Sequence, residues 1–436
     1  MSGKVTDNLG RSSGLVKAVA AGREGTVDWD TSNIKTSNFT AEDAKGYFCN
    51  TSSSAFTVTL PAGSAGAIVS VADYTRTFQT NNLTISPDGS EKIGGVANDL
   101  VLSTEGQSAT FVYVDSTEGW INVQNAEDTE TGRVVTAYIT ATGGTIATSG
   151  DYKIHTFNSS GTFTVTNEGT CAGSQRLDYV VVAGGGGGGN AGAPDGFSPG
   201  GGGAGGYREA VPSPAAWTGS PLATTSGLTA AYQAYPITVG AGGAYTSSPS
   251  SFSASGTNSV FSTITSAGGG YGAGNKAPAV GAAGGSGGGG RGGCPGSNSG
   301  GAGNTPPVTP PQGNPGGTGG TGTPAPGHGA GAGGGATAAG GNASGTSNGN
   351  GGAGATSCIT ASPVARAGGG GGGSHTHAPS GGTGGAGGGG NGSPNNGSGT
   401  AGTANTGGGG GGSGAQSTGG TNGGSGVVII RYKFQE

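Results

Sequence analysis

The sequence predicts an all-β chain joined to a body of packed polyglycine II helices, with essentially no α-helix. Three observations point there. Of 436 residues, 107 are Gly, against ~7% in ordinary proteins. Most of those glycines lie between two apolar strand-like runs, 178–183 (DYVVVA) and 426–434 (GVVIIRYKF). Short alternating apolar runs separated by turn residues fill the part before them, as in an all-β module.

Other readings of so much glycine are weaker. Disordered tracts usually carry high charge, whereas only 9% of these residues are charged. Collagen needs a strict G-X-Y period, which is absent.

Residues 1–45 are polar, with scattered apolar positions such as Leu15, Val16, Val27, Trp29 and Phe39, and read as an arm. Residues 46–126 read as a small β-module. Its strands are expected at 56–60, 67–71, 82–86, 99–102, 109–114 and 119–123. Pro87, Asp88 and Gly89 form a turn, Pro presetting φ and Gly permitting positive φ. A module of this size has a thin core, so oligomerisation is a natural supplement.

Residues 127–150 read as a connector with an acidic patch, a short strand at 134–139 and a Gly143-Gly144 turn. Residues 151–436 form the glycine-rich domain, framed by strands at 152–183 and 427–434. Its first expected element is a hairpin, 152–157 with 162–166.

Glycine can build a body because polyproline-II-type helices have three residues per turn, ~3.1 Å rise and no internal hydrogen bonds. Packed side by side, they satisfy one another's backbone groups. A helix with neighbours all round then needs Gly throughout. Three runs qualify: Gly184, Gly186 and Gly189 mark the first, Gly368, Gly370 and Gly373 the second, Gly407, Gly409 and Gly412 the third. Segments 316–322 and 381–387 carry a non-Gly residue every third position, as expected of an edge helix with one face in solvent. The terminal strands act as the template, because ordering so much Gly is entropically costly.

Two resemblances follow from these residues. Residues 56–61 (FTVTLP), 82–85 (NLTI), 100–104 (LVLST) and 111–120 resemble a β-module of bacteriophage fibre and other virion proteins. Residues 157–165 (FNSSGTFTV), 178–185, 200–208, 235–242 (YPITVGAG), Ser251 with Phe252, 264–271 and 426–432 resemble the glycine-rich domain of phage tail-fibre and receptor-binding adhesins. The resemblance implies a sandwich of polyglycine II helices whose variable segments make a distal host-binding surface. It also implies a homotrimer on the virion, made in the host cytoplasm. The arm would join other fibre or tail proteins. The partner would be a host surface protein or polysaccharide.

Candidate loops are the segments with Pro or side-chain diversity: 190–199, 276–280, 291–315, 323–328, 356–366, 374–379 and 391–406. The receptor-binding candidates within them are Arg291, Asn298, Pro310, Arg366, His375, His377, Asn395 and Asn396. His375 and His377 could also hold a metal as an H-x-H pair, but no second ligand pair is visible, and no metal or cofactor is expected.

Catalysis is not expected. No Asp or Glu occurs between Glu209 and Glu436, whereas glycosidases need paired carboxylates. Carboxylates elsewhere read as solvated surface charges. Matches to G-x-G-x-x-G lack the following helix and ribose-binding acid. A net charge of −5 without a basic stripe argues against nucleic-acid binding, and no apolar run is long enough to span a bilayer. The start lacks the apolar core of a secretory signal. The four cysteines, Cys49, Cys171, Cys294 and Cys358, form no C-x-x-C pair; a Cys294–Cys358 disulfide is open, with unpaired thiols the expectation. Tyr207, Trp217, Tyr232, Tyr235 and Tyr271 read as β-core. A structural or decoration fibre, an ice-binding bundle and a disordered tract are the competing classes.

Overall fold

The structure is a computed structural model. It describes residues 27–124, 137–170, 173–191, 197–248, 250–293, 296, 298–321, 328–375, 380–394, 397–414 and 420–436. The chain divides into two units, 1–136 and 137–436. No α-helix occurs among the described residues.

In the first unit the chain winds as a parallel coil. Strands β1 (Asp28–Lys35), β3 (Lys45–Cys49) and β5 (Ile68–Asp73) lie parallel in one sheet. The intervening strands β2 (Phe39–Thr40), β4 (Phe56–Thr59) and β6 (Leu83–Ser86) lie parallel in another. The coil is closed by antiparallel strands: β7 (Leu100–Leu102) on β6, β8 (Ser108–Asp115) on β5, and β9 (Gly119–Asn122) on β8.

Period-2 alternation sets the inward face. Phe56 and Val58 are buried and stand in register with Leu83 and Ile85, which are buried too. The expected strands of this module are therefore present. The arm, however, does not extend to residue 45. Residues 28–40 form β1 and β2, and Phe39 packs against the core as part of the coil. Their β character was hidden because β1 is an edge strand with few buried side chains.

The second unit holds two sheets packed face to face. One contains β11 (Thr145–Ser149), β12 (Tyr152–Phe157), β23 (Val427–Lys433), β14 (Arg176–Val182), β15 (Tyr207–Ala210) and β16 (Ala223–Thr224) in that order, with β17 (Leu228–Thr229) also on β14. The other runs β10 (Ile139–Thr142), β13 (Gly161–Glu168), β18 (Ala234–Thr238), β19 (Ser259–Phe261) and β20 (Ile264–Ser266). A short hairpin, β21 (Ala355–Ser357) with β22 (Val364–Arg366), stands apart.

Strands β14 and β23 are covered on both faces, which explains their continuous apolar runs. Tyr179, Val181, Val428, Ile430 and Tyr432 join Phe163, Tyr235 and Phe261 between the sheets. Val180, Val182, Val427 and Ile429 meet Tyr207, Trp217 and Ile359 on the opposite face. Of the residues read as a connector, 137–150 belong here: β10 pairs with β13 and β11 with β12. The strand expected at 134–139 starts only at Ile139, and its earlier part lies outside the described residues as far as 136.

The hairpin expected at 152–166 does not form. β12 pairs with β11 and β23, whereas β13 pairs with β10 and β18. The turn between them is a corner from one sheet to the other, which brings both Phe157 and Phe163 into the core between the sheets.

The glycine body continues these strands. β14 and β23 are antiparallel neighbours in register from Asp178↔Arg431 to Val182↔Val427. Gly184 follows the one, and Gly426 precedes the other. Segments 200–206, 239–243, 252–258 and 267–274 likewise lead into or out of β15, β18, β19 and β20.

The hydrogen bonds of 184–189 reveal the helix type. The N–H groups of Gly184 and Gly187 donate to Thr257 and Ala254, those of Gly185 and Gly188 to Gly424 and Thr421, and those of Gly186 and Gly189 to Gly203 and Gly200. The partner recurs every third residue, the period of a three-residue turn. In return, carbonyls of this run accept from three further segments, through Gly269 and Gly272, Gly243, and Gly410 and Ser413. Each interior helix thus has six neighbours.

The runs at 368–373 and 407–412 are enclosed in the same way. All nine of Gly184, Gly186, Gly189, Gly368, Gly370, Gly373, Gly407, Gly409 and Gly412 are buried. A Cβ at Gly370 would stand 2.1 Å from the Gly410 carbonyl oxygen, and one at Gly409 2.0 Å from that of Gly202. Segments 200–206, 286–291 and 330–335 are interior as well. They carry Ala204, Ser286, Ala330 and Ala332 at 0% exposure, so unbroken Gly is not required throughout. The bundle has room for a methyl or hydroxymethyl at those sites.

The perimeter follows the expected pattern. Thr318, Thr321, Thr383 and Ala386 are all exposed. Asparagines there take over where a backbone acceptor is missing: Asn342, Asn350, Asn391 and Asn422 accept through Oδ1 from the N–H of Thr318, Thr383, Gly384 and Tyr245, at 2.8, 2.9, 2.8 and 2.9 Å.

Candidate functional site

Successive glycine segments reverse direction, so their connections fall at two ends. Turns at the near end lie against the sheets. Those at the far end include Asn190, residues 197–199, 275–279 and 344–347, and the chain at His375. The candidate receptor residues are divided between the two.

Pro310 and Arg366 are at the near end. The loop carrying Pro310 is tied to β15, where Tyr207 N–H donates to the Gln312 carbonyl, and the Gln312 side chain donates to the Pro306 carbonyl at 2.8 Å. Arg366 ends β22 and is buried at 7% exposure. Segment 356–366 is not a free loop. The Arg431 guanidinium lies over Trp217 and Tyr152, 4.2 and 4.7 Å from the ring centroids, and donates to the Ile359 carbonyl.

The buried carboxylate Glu209 accepts from Tyr207 Oη at 2.9 Å, from the Ser220 N–H at 3.0 Å and from Ser357 Oγ. Asp178 is paired with Arg176 at 2.6 Å, yet burial outweighs that pair and pushes its carboxyl up to about 6. These two acids are structural anchors and not the solvated surface charges expected of them. Their role could not be read from sequence because each lies in an unremarkable strand.

The far end holds Arg291, Asn298 and His375. All three are buried, at 4%, 2% and 7% exposure, and so shape the end instead of presenting themselves to a partner. The Arg291 guanidinium lies 4.1 Å from the Phe197 ring centroid and donates to the Gly274 and Asn275 carbonyls. Asn298 Nδ2 donates to the Gly320 carbonyl at 2.8 Å.

His375 stacks face to face on His328, with centroids 4.5 Å apart and planes at 9°. Its expected companion His377 lies outside the described residues, as do Asn395 and Asn396. Among the described residues no group of three His, Cys, Asp or Glu side chains could hold a metal. Cys49 and Cys358 are free thiols, and Cys294 lies outside the described residues. Burial raises the Cys49 thiol to about 12, which keeps it protonated and inert.

The feature that sequence reasoning missed is on the flank of the bundle. Tyr207, Trp217 and Tyr235 are core residues as expected, whereas Tyr232 is 74% exposed. Tyr271 is not in the β-core. It sits in a glycine segment, half-buried, stacked on Phe252 with centroids 5.1 Å apart and planes at 23°. The Lys276 ammonium covers the Phe252 ring at 4.4 Å. The available signal was the rarity of large side chains in a tract of Gly, Ser and Ala.

The model of a glycine-rich domain family matches residues 156–433. The chain belongs to the glycine-rich domain family. The match begins within β12 and ends at the last residue of β23, so it covers the strand template together with the bundle it holds. No curated protein matches the chain. No helix among the described residues is long and apolar enough to cross a membrane.

Proposed function

We propose that this chain is a virion fibre protein, a phage tail-fibre adhesin that meets the host cell surface through the far end of its glycine-rich domain. The observation that carries the reading is the reversal of successive glycine helices. It sends connections with diverse side chains to both ends of the bundle, and those of one end lie away from the sheets. Multiple copies, as in a homotrimer, would turn weak single-site contacts into firm attachment. The segment before β1 would join the chain to other virion proteins. Binding, not catalysis, is the role: Asp178 and Glu209 are occupied in holding the fold.

The test is competition for adsorption. Purified chain should block attachment of the parent virion to its host. A variant with far-end segments 190–199 and 374–380 replaced by Gly-Ser turns should fold and fail to block. Equal blocking by both, or by neither, would favour a structural fibre without a dedicated receptor.

A further inference from the structure

We propose that Phe252, Tyr271 and Lys276 form a binding site for an anionic saccharide. This names a ligand class for the adhesin reading and rests on it.

The first observation is the arrangement of the rings. Phe252 and Tyr271 stack on one another on the flank of the bundle, both half-exposed. Elsewhere in this domain most large aromatic side chains are spent in the sheets. Aromatic rings in contact with water offer apolar faces and edges on which the C–H surface of a sugar can pack. The exposed serines 247, 248, 250 and 251 adjoin Phe252 and supply hydroxyl donors and acceptors.

The second observation is charge. Lys276 is exposed, with its ammonium over the Phe252 ring. No carboxylate among the described residues forms an ion pair with it, and the chain has no Asp or Glu from 210 to 435. A second cation, Arg291, lies beside this cluster. Arg291 is buried, and by donating to the carbonyls of Gly274 and Asn275 it fixes the backbone that presents Lys276. The Asn275 N–H donates in turn to the Asn190 carbonyl. An ammonium held over an aromatic tier, with no carboxylate partner among the described residues, is matched by a sugar bearing a carboxylate or phosphate. The exposed ring edges take the sugar's apolar surface, and the ammonium takes its charge. Arg291 acts as a positioning residue.

The test uses the full chain with oligogalacturonate as a carboxylated probe, and maltooligosaccharide of equal length as a neutral one, followed by calorimetry or NMR. Saturable binding of the carboxylated probe is expected, weakening with salt, with at least tenfold weaker binding of the neutral one. Lys276→Gln and Phe252→Leu should each reduce binding about tenfold without changing the thermal midpoint. That tenfold loss corresponds to about 1.4 kcal/mol. Equal binding of both probes, no binding by the native chain, or unchanged binding by both variants would overturn the proposal. Failure of the adhesin reading looks different: the sugar binds as described, yet the chain does not compete for adsorption.

Discussion

Within the second unit, two regions share the same strands and are held together by opposite means. The β-sandwich is held by side chains: Phe163, Tyr179, Phe261, Ile430 and Tyr432 fill its core. The bundle that continues it has almost no side chains inside and is held by backbone hydrogen bonds, rotating among neighbours with a period of three. The first arrangement constrains sequence at every buried position. The second constrains it to a missing or very small side chain at each interior position.

The comparison can be broken most severely inside the bundle. Gly370→Val places a side chain against the Gly410 carbonyl and parts Gly370 from both Gly202 and Gly333. Each backbone group left unpaired costs ~1–3 kcal/mol, so Gly370→Val and Gly409→Val should be the most damaging single changes. Thermal denaturation reads this directly. Ile430→Ala attacks the template instead and should cost about 2–5 kcal/mol. Because β23 leads straight out of the bundle, this variant should melt sandwich and bundle together, with circular dichroism and near-ultraviolet signals lost at one temperature.

Acid sharpens the comparison, because His155 and Asp178 are buried in the sandwich. Burial lowers the His155 pKa, and its ring meets the Gly143 carbonyl at 2.7 Å and Tyr432 Oη at 3.1 Å. The fold therefore favours neutral His155. The stability it contributes is full above the unfolded value of ~6.5 and is lost as pH falls towards the lowered folded value. Asp178 works in the other direction: with its carboxyl raised to about 6, the folded state gains stability as pH falls from about 6 towards the unfolded value. His155→Gln should flatten the loss of stability below pH ~6.5, and Asp178→Asn should remove the opposing gain. Denaturation midpoints across pH 4–8 would separate them.

The smallest effects belong to the perimeter. Asn350→Ala removes the acceptor for Thr383 N–H and should cost ~0.5–1.5 kcal/mol. Thr383→Val, on an exposed edge, should leave the thermal midpoint nearly unchanged.

What the sequence made legible was whatever rests on local repetition. The unbroken glycine runs, the every-third pattern at 318, 321, 383 and 386, and the apolar runs of β14 and β23 each report directly on packing. Pairing was less legible. Residues 152–166 look like a hairpin because the turn is short, and only the sheet-to-sheet core contacts of Phe157 and Phe163 reveal the corner. β1 was missed because an edge strand needs little apolar surface. The candidate site was the least legible part. Arg291, Asn298, Arg366 and His375 stand out in a glycine tract as candidates for contact, but a long polar side chain can serve equally to tie backbone carbonyls, as Arg291 does with Gly274 and Asn275. Phe252, Tyr271 and Lys276 are separated in sequence and meet only when adjacent helices pack.

The central claim is that the glycine body is an ordered, backbone-bonded solid. Amide hydrogen exchange tests it most directly, since protection reports local opening. The amides of Gly186, Gly202, Gly370 and Gly410, each bonded to a neighbouring helix, should exchange as slowly as those of Val181 and Ile429 in the template strands. Exchange of the glycine amides at the rate of an unstructured peptide, with the strands still protected, would contradict the account.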